Sequence, residues 1–419
     1  MNARQRWWGI GGSLLLGLFV AYLDRTVLSV ALPSVARDLG FAGPRMAITS
    51  SWALTAFLIG YAAANVFGGI LTRKRDPKRV AIWTFTLWSV ATVFVGFTNS
   101  VAVMLACRIV LGIGEGVYWP QQSRFAKAWF APEERTKANA MIQYYGQFLS
   151  LALGFALLTP IYHAFGWRVL FFLTGGMGLI LVVPLYVAKL KPESAAPYPP
   201  SSSAMADTRL TLASLGGPAF FLLLFSYVMQ GMLFWGITLW ISLAVKSVGF
   251  TGSSQGIASA LPFAAAVLLA PFIAWISDRT GRRVAIAAMG LLLPGLLLML
   301  LPTVSSGYAK LALITLALGY FASSYTPNIW SILQATVEPL AVGPAAGIMN
   351  GIGAGGGGTL AGFLVGLVNA VTGSYMAGFE ILGVLALLGG GSLLLYGRVV
   401  ANNRVLNAAN AHTTLARTN

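Results

Sequence analysis

Long apolar runs recur along this chain, at a length that water-soluble helices rarely need. Twelve are counted, at about 8–32, 46–71, 80–98, 101–121, 137–161, 168–188, 214–244, 254–276, 284–303, 309–335, 343–371 and 376–399. A helix crosses the hydrocarbon core of a bilayer in about 20 residues, so each run is one crossing. Composition agrees. Hydrophobic residues make up 57% of the chain and charged residues only 9%, against about 25% charged in soluble domains. The 419 residues therefore predict an all-α, multi-pass membrane protein.

The formal net charge of +16 raises the question of nucleic acid, and the distribution of the basic residues answers it. With the N-terminus inside, Arg73, Lys74, Arg75, Lys78, Arg79, Arg124, Lys127, Arg279, Arg282 and Arg283 all fall in inner loops or at inner helix ends. Only Arg37, Arg45, Arg168, Lys246 and Lys310 fall outside. That bias orients a membrane protein with both termini cytoplasmic and offers contacts to anionic lipid. No nucleic-acid partner is expected. Trp7 and Trp8 after a short basic start read as interfacial anchors of an uncleaved first helix.

Cys107 is the sole cysteine, and His163 and His412 are the two histidines. No disulfide or thiolate metal site is possible within the chain, and no metal or cofactor is expected. No nucleophile–base set stands out either, so an enzyme is not expected.

The stretch 189–211, KLKPESAAPYPPSSSAMADTRLT, is the one extended polar segment between runs, and its composition is that of a flexible linker. It divides the chain into a six-helix bundle at 1–188, a cytoplasmic linker at 189–212, a second six-helix bundle at 213–400 and a polar tail at 401–419, expected to be without structure. The halves share a feature. GGILTRKRDPKRVAIW (68–83) follows the second run and IAWISDRTGRRVAIAA (273–288) the eighth; Thr72 aligns with Ser277 and Arg73 with Asp278, an offset of 205 residues. A repeat at half the chain length predicts duplicated bundles with a central site between them.

Four charges lie inside runs: Asp24 and Arg25 in the first, Arg108 and Glu115 in the fourth. At mid-membrane each costs about 2.5–3.5 kcal/mol on insertion scales, so such groups pair, line a watery cavity or bind something. Arg108, Gly112 and Glu115 are spaced i, i+4, i+7 and share one helix face. Depth estimates put Asp24 level with Arg108, and an Asp24–Arg108 ion pair is expected, with Arg108 as the charge-pair partner. That leaves Arg25 and Glu115 for the cavity. Arg25 has the planar fork that suits a carboxylate, and Glu115 and Asp24 are the candidates to carry protons. The competing reading is that these charges only fix helix packing.

The loop SDRTGRR, with Asp278, Arg279 and Arg282, resembles the cytoplasmic gating-loop signature of the major facilitator superfamily. The first-half copy departs from it, with Arg73 in place of Asp and Asp76 in place of Gly. Within that superfamily the chain resembles the anion:cation symporters. The resemblance rests on Tyr22-Leu-Asp24-Arg25, on Arg108-x-x-x-Gly112-x-x-Glu115-Gly116 with Pro120, on Trp129-Phe130-x-Pro132-Glu133-Glu134-Arg135, and on Gly166-Trp167-Arg168. It implies twelve transmembrane helices in two pseudo-symmetric bundles and import of an organic anion with protons by alternating access. The leading substrate is a sugar acid or related hydroxy-carboxylate, with an aromatic carboxylate or a proton-coupled drug exporter as alternatives. It also implies that Asp24 and Glu115 couple protons and that Tyr61, Gln147, Trp330 and Asn350 line the substrate site with Arg25. A bacterial inner membrane and a functional monomer are expected. Around the polar group SSYTPNIW (323–330), Pro327 is expected to break the tenth helix. Ala354, where these symporters often carry a second Asn, and the pair Tyr144 and Tyr145 point to a differently shaped pocket.

Overall fold

A computed structural model describes residues 3–43, 46–72, 75–131, 138, 140–198, 211–337 and 342–418, and among them no strand occurs. Twelve long helices make up the molecule. The first half comprises α1 (Ala3–Asp38), α2 (Met46–Leu71), α3 (Pro77–Phe97), α4 (Val101–Trp129), α5 (Gly146–Phe165) and α6 (Trp167–Lys189). The second comprises α7 (Ala219–Ser247), α8 (Ser253–Thr280), α9 (Arg283–Met299), α10 (Gly307–Thr336), α11 (Ala345–Thr372) and α12 (Tyr375–Thr418). Among the described residues eleven spans are long and apolar enough to cross a membrane. The remaining helix, α10, is 30 residues long; Ser323, Ser324, Tyr325, Thr326 and Asn328 dilute its apolar character.

The punctuation is chemical. Asp76 caps α3, its Oδ1 accepting from the Lys78 N–H at 3.3 Å, with Pro77 in the first turn, where a missing N–H costs nothing. Gly281 ends α8 at φ +66°, and its N–H bonds the Ser277 carbonyl at 2.9 Å, a left-handed stop that favours glycine. The outer surface carries Trp83, Phe97, Ile180, Leu268 and Tyr308, all more than two-thirds exposed, as a lipid-facing surface requires and a water-facing one does not.

Within the first half α2 packs on α4, α3 on α4 and α1 on α5. Within the second, α9 packs on α10 and α12, and α7 on α12. The halves meet where α5 touches α8, α2 touches α11 and α1 touches α7. Phe155 stacks on Phe263 across the first contact, with centroids 5.7 Å apart and 7° between the planes. The internal repeat has a physical counterpart. Gln121 Nε2 on α4 donates to Thr72 Oγ1 at 2.9 Å, and the Ser277 hydroxyl donates to Asn328 Oδ1 on α10, so equivalent hydroxyls at the ends of α2 and α8 bond amides on the fourth helix of their own half.

Two expectations need correction. Pro327 does not break α10, which runs unbroken from Gly307 to Thr336. Pro327 removes one backbone bond, the one to the Ser323 carbonyl, and the packing of α10 against α8 and α9 holds the helix together through that position. The tail from 401 is not without structure either. It continues α12 to Thr418, and no Gly or Pro lies between Arg398 and Thr418 to stop it. Arg73 and the loop residues Pro132, Glu133, Glu134 and Arg135 lie outside the described residues. The linker is described up to Tyr198: Glu193 is held by an ion pair with Arg124 on α4, whose Nε donates to Glu193 Oε1 at 3.2 Å, and the Tyr198 N–H bonds Ala128 O at 3.0 Å.

Candidate functional site

All four intramembrane charges are buried, and Arg108 has no solvent exposure at all. Their pairing differs from the expected one. Arg25 Nε donates to Glu115 Oε2 at 2.6 Å, and Arg25 Nη2 meets the same oxygen. Asp24 and Arg108 form no ion pair. Asp24 Oδ2 accepts from the Thr92 hydroxyl of α3 at 3.4 Å, and its Oδ1 has no hydrogen-bond partner. The Nε, Nη1 and Nη2 of Arg108 make no hydrogen bonds, and its guanidinium lies 4.8 Å from the Phe57 ring centroid.

Helix rotation accounts for the exchange of partners. Adjacent residues on a helix of 3.6 residues per turn point about 100° apart. Asp24 accordingly faces α3, while Arg25 faces α2, α4 and α7. Gly112, between Arg108 and Glu115, lets α4 approach α2 closely, because a Cβ there would overlap the Phe57 carbonyl. That approach brings Phe57 against both arginines.

Arg25 sits in a cage of rings. Its guanidinium carbon is 4.2 Å from the Tyr22 centroid, 5.1 Å from Tyr61, 5.2 Å from Trp235 and 5.6 Å from Phe57. Cation–π attraction of this kind is worth about 2 kcal/mol or more once desolvated. Nη1 of Arg25 and Oε1 of Glu115 remain without hydrogen-bond partners. The pair thus retains donor capacity at Nη1 and acceptor capacity at Oε1 beyond its own bond.

A polar network ties this cage to the second half. Asn350 Nδ2 on α11 donates to Tyr61 Oη and to Asn65 Oδ1, each at 3.0 Å, and the Tyr227 hydroxyl of α7 donates to Asn350 Oδ1 at 3.5 Å. Trp330 packs edge-on against Tyr227, with centroids 5.4 Å apart. Tyr61 and Asn350 are therefore brought together beside Arg25, and Trp330 joins them only through Tyr227. Gln147 is partly buried on α5, and no hydrogen bond links it to the cluster. In the loop after α8, Arg279 lies over Trp275 of its own helix at 5.2 Å and Arg282 is exposed; the Asp278 side chain lies outside the described residues.

Sequence reasoning left Trp235, Phe57 and Tyr227 without a role. A signal existed for Trp235. Tryptophans of membrane helices gather at the two interfaces, whereas Trp235 stands in the middle of a 29-residue helix. Phe57 and Tyr227 carry no comparable mark.

The buried arginine–glutamate pair of the first half thus meets Trp235 of the second where the two halves touch. Residues 14–361 and 223–417 match the Major Facilitator Superfamily, and the chain belongs to it. It is 30% identical over 406 residues to a probable sulfoacetate transporter of Cupriavidus necator, covering 91% of each chain. It is 24% identical over 373 residues to a D-galactonate transporter of Escherichia coli, covering 82% of this chain and 85% of that one. Among solved structures, a bacterial homologue of the human lysosomal transporter Spinster, in an inward-facing and unoccupied conformation, superposes with a TM-score of 0.76. That match has 16% identity and covers 95% of this chain and 98% of the other, so it speaks to the fold alone.

Proposed function

We propose that this protein imports an organic anion together with protons by alternating access, and that the anion is a sugar acid or a related hydroxy-carboxylate. The observation that carries this reading is the Arg25–Glu115 pair, buried where α1 and α4 meet the ring of Trp235 from the other half. While Glu115 is ionised, two N–H groups of Arg25 are committed to it. A proton on Glu115 weakens that bond and frees the fork of Arg25 for a substrate carboxylate. Proton and anion then bind together, and neither is carried alone. Asp24, with one oxygen unpartnered beside Thr92, is the second proton carrier. Arg108 keeps the region between the two acids positive. Tyr61 and Asn350 supply hydroxyl-reading contacts beside Arg25, and Gln147 and Trp330 border the same space when the halves rock.

The relatives support the anion: their names are those of a sulfoacetate and a D-galactonate transporter. The bundles 1–188 and 213–400 act as the rocking bodies, with the linker 189–212 between them. Asp278, Arg279 and Arg282 serve as a gating loop, and the working unit is a monomer in a bacterial inner membrane with both termini in the cytoplasm. A singly charged acid entering with one proton moves no net charge; with two it draws on the membrane potential, about 2.3 kcal/mol per charge per 100 mV. A cationic drug is disfavoured, because a buried guanidinium repels it.

Purified protein in liposomes tests the proposal. Galactonate, sulfoacetate, benzoate and a lipophilic cation are offered with and without an inward proton gradient. Accumulation of an acid, driven by the gradient, is the expected result. Transport of the cation, with no response to any acid, overturns it.

A further inference from the structure

Trp235 is the one ring of the Arg25 cage that belongs to the second half. Tyr22, Phe57 and Tyr61 come from α1 and α2, and Trp235 from α7. It is 3% exposed. Its indole lies nearly parallel to the Tyr22 ring, at 11° and 6.5 Å between centroids, and edge-on to Phe57 at 5.5 Å and 71°. The indole therefore covers Arg25 from across the interface between the halves.

The indole is packed closely on its own side of the interface. Gly358 of α11 stands against it, where a Cβ would lie 2.6 Å from Trp235 Cδ1 and 2.8 Å from Cγ. The absence of a side chain at 358 leaves the room that the indole occupies. A large, rigid side chain from the second half thus lies in contact with the buried Arg25 guanidinium.

We infer that Trp235 is the size filter of the anion site, admitting compact aliphatic acids to Arg25 and excluding acids that carry a ring beside the carboxylate. This rests on the anion reading above. The argument is geometric. The indole and the guanidinium sit on different halves, so a rocking motion lifts one from the other and the return motion lowers the indole over whatever Arg25 holds. Closure completes only if the body of the acid fits beneath a side chain packed on Gly358 and Phe57. The indole centroid lies only 5.2 Å from the Arg25 guanidinium carbon, so any acid held by Arg25 lifts the indole, and a phenyl ring at the α-carbon lifts it further than a slim aliphatic chain does.

Two measurements test the filter. The first is ligand-induced thermal shift with glycolate, gluconate and mandelate, for the native protein, Trp235→Phe and Gly358→Ala. The native protein is expected to respond to an aliphatic acid and not to mandelate. Trp235→Phe is expected to gain mandelate by about tenfold in apparent affinity, the scale by which pocket fit discriminates. Gly358→Ala, whose Cβ would overlap the indole and crowd its seat, is expected to lose the larger aliphatic acid first. A uniform loss across all acids in both variants marks a packing role and overturns the filter.

The second measurement does not depend on the substrate. Tyr22→Cys in a Cys107→Ser background is treated with methyl and benzyl methanethiosulfonate, with Trp235 intact and with Trp235→Phe. The filter predicts that the benzyl reagent reacts slowly until Trp235 is reduced in size, while the methyl reagent changes little. Equal acceleration of both reagents, or none, overturns it. If no acid shifts the native protein yet the thiol rates follow size, the anion reading fails and takes the acid filter with it, leaving Trp235 as a size barrier only; if acids bind and the rates ignore size, the filter alone fails.

Discussion

The two halves of this transporter bring different chemistry to the same place. Among the described residues, every buried ionic group lies in the first half: Asp24 and Arg25 on α1, Arg108 and Glu115 on α4. The second half answers with neutral groups, Tyr227 and Trp235 on α7, Tyr325, Asn328 and Trp330 on α10, and Asn350 on α11. On the proposed reading this asymmetry is a division of labour: the half that holds the charges takes up and releases the proton, and the half that holds rings and amides fits the substrate. Contacts such as Asn350 to Tyr61 and Asn65 couple the two.

The largest expected effect breaks the charged side. Removing Arg25, as in Arg25→Met, leaves Glu115 buried without its counter-ion, a loss of about 3–5 kcal/mol for a broken buried pair, and the melting temperature should fall with substrate response gone. Arg25→Lys keeps the charge without the fork. It should fold and yet show no acid-induced thermal shift; a normal shift would take Arg25 out of the binding site. Next in size is Glu115→Gln. Gradient-driven accumulation should vanish while exchange of internal for external substrate persists, and accumulation at the native level would move proton coupling elsewhere, with Asp24→Asn the variant to try.

A smaller effect is expected on the neutral side. Asn350→Ala deletes hydrogen bonds to Tyr61 and Asn65, each worth about 0.5–1.5 kcal/mol. Substrate affinity should drop several-fold with the response to a proton gradient unchanged. Loss of the gradient response in this variant would show that the division of labour between the halves is not clean. The smallest effect belongs to the linker end. Glu193→Gln removes the ion pair with Arg124, a partly exposed contact of the kind worth up to about 1 kcal/mol. Transport should continue at the native rate, and a collapse measured in liposomes would bring the first-half loop into the cycle.

Much of this was legible before any coordinates. The length and apolar character of the runs are local properties, and they led to the helical architecture and to the two halves around the 189–211 segment. The depth of Asp24, Arg25, Arg108 and Glu115 is also local, since it follows from rise per residue, and so the central charges were named. The continuity of α10 through Pro327 was not legible, because proline signals a break locally while the packing against α8 and α9 that holds the helix is not local. The helical tail was missed by reading polarity alone, where the lack of Gly and Pro was the better guide.

The sequence by itself determined a membrane-embedded, duplicated helical protein with an intramembrane arginine and glutamate on the first and fourth helices. Bilayer thickness and the cost of burying charge act on the chain one segment at a time. Only the tertiary structure decided that Glu115 takes Arg25, that Asp24 turns to Thr92, and that Trp235 from the far half closes the cage. Those outcomes depend on how each helix is rotated and how closely it crosses its neighbours. A single residue step turns a side chain by about 100°, and a glycine such as Gly112 or Gly358 sets the approach of one helix to another, so the partners become definite only once all twelve helices are packed.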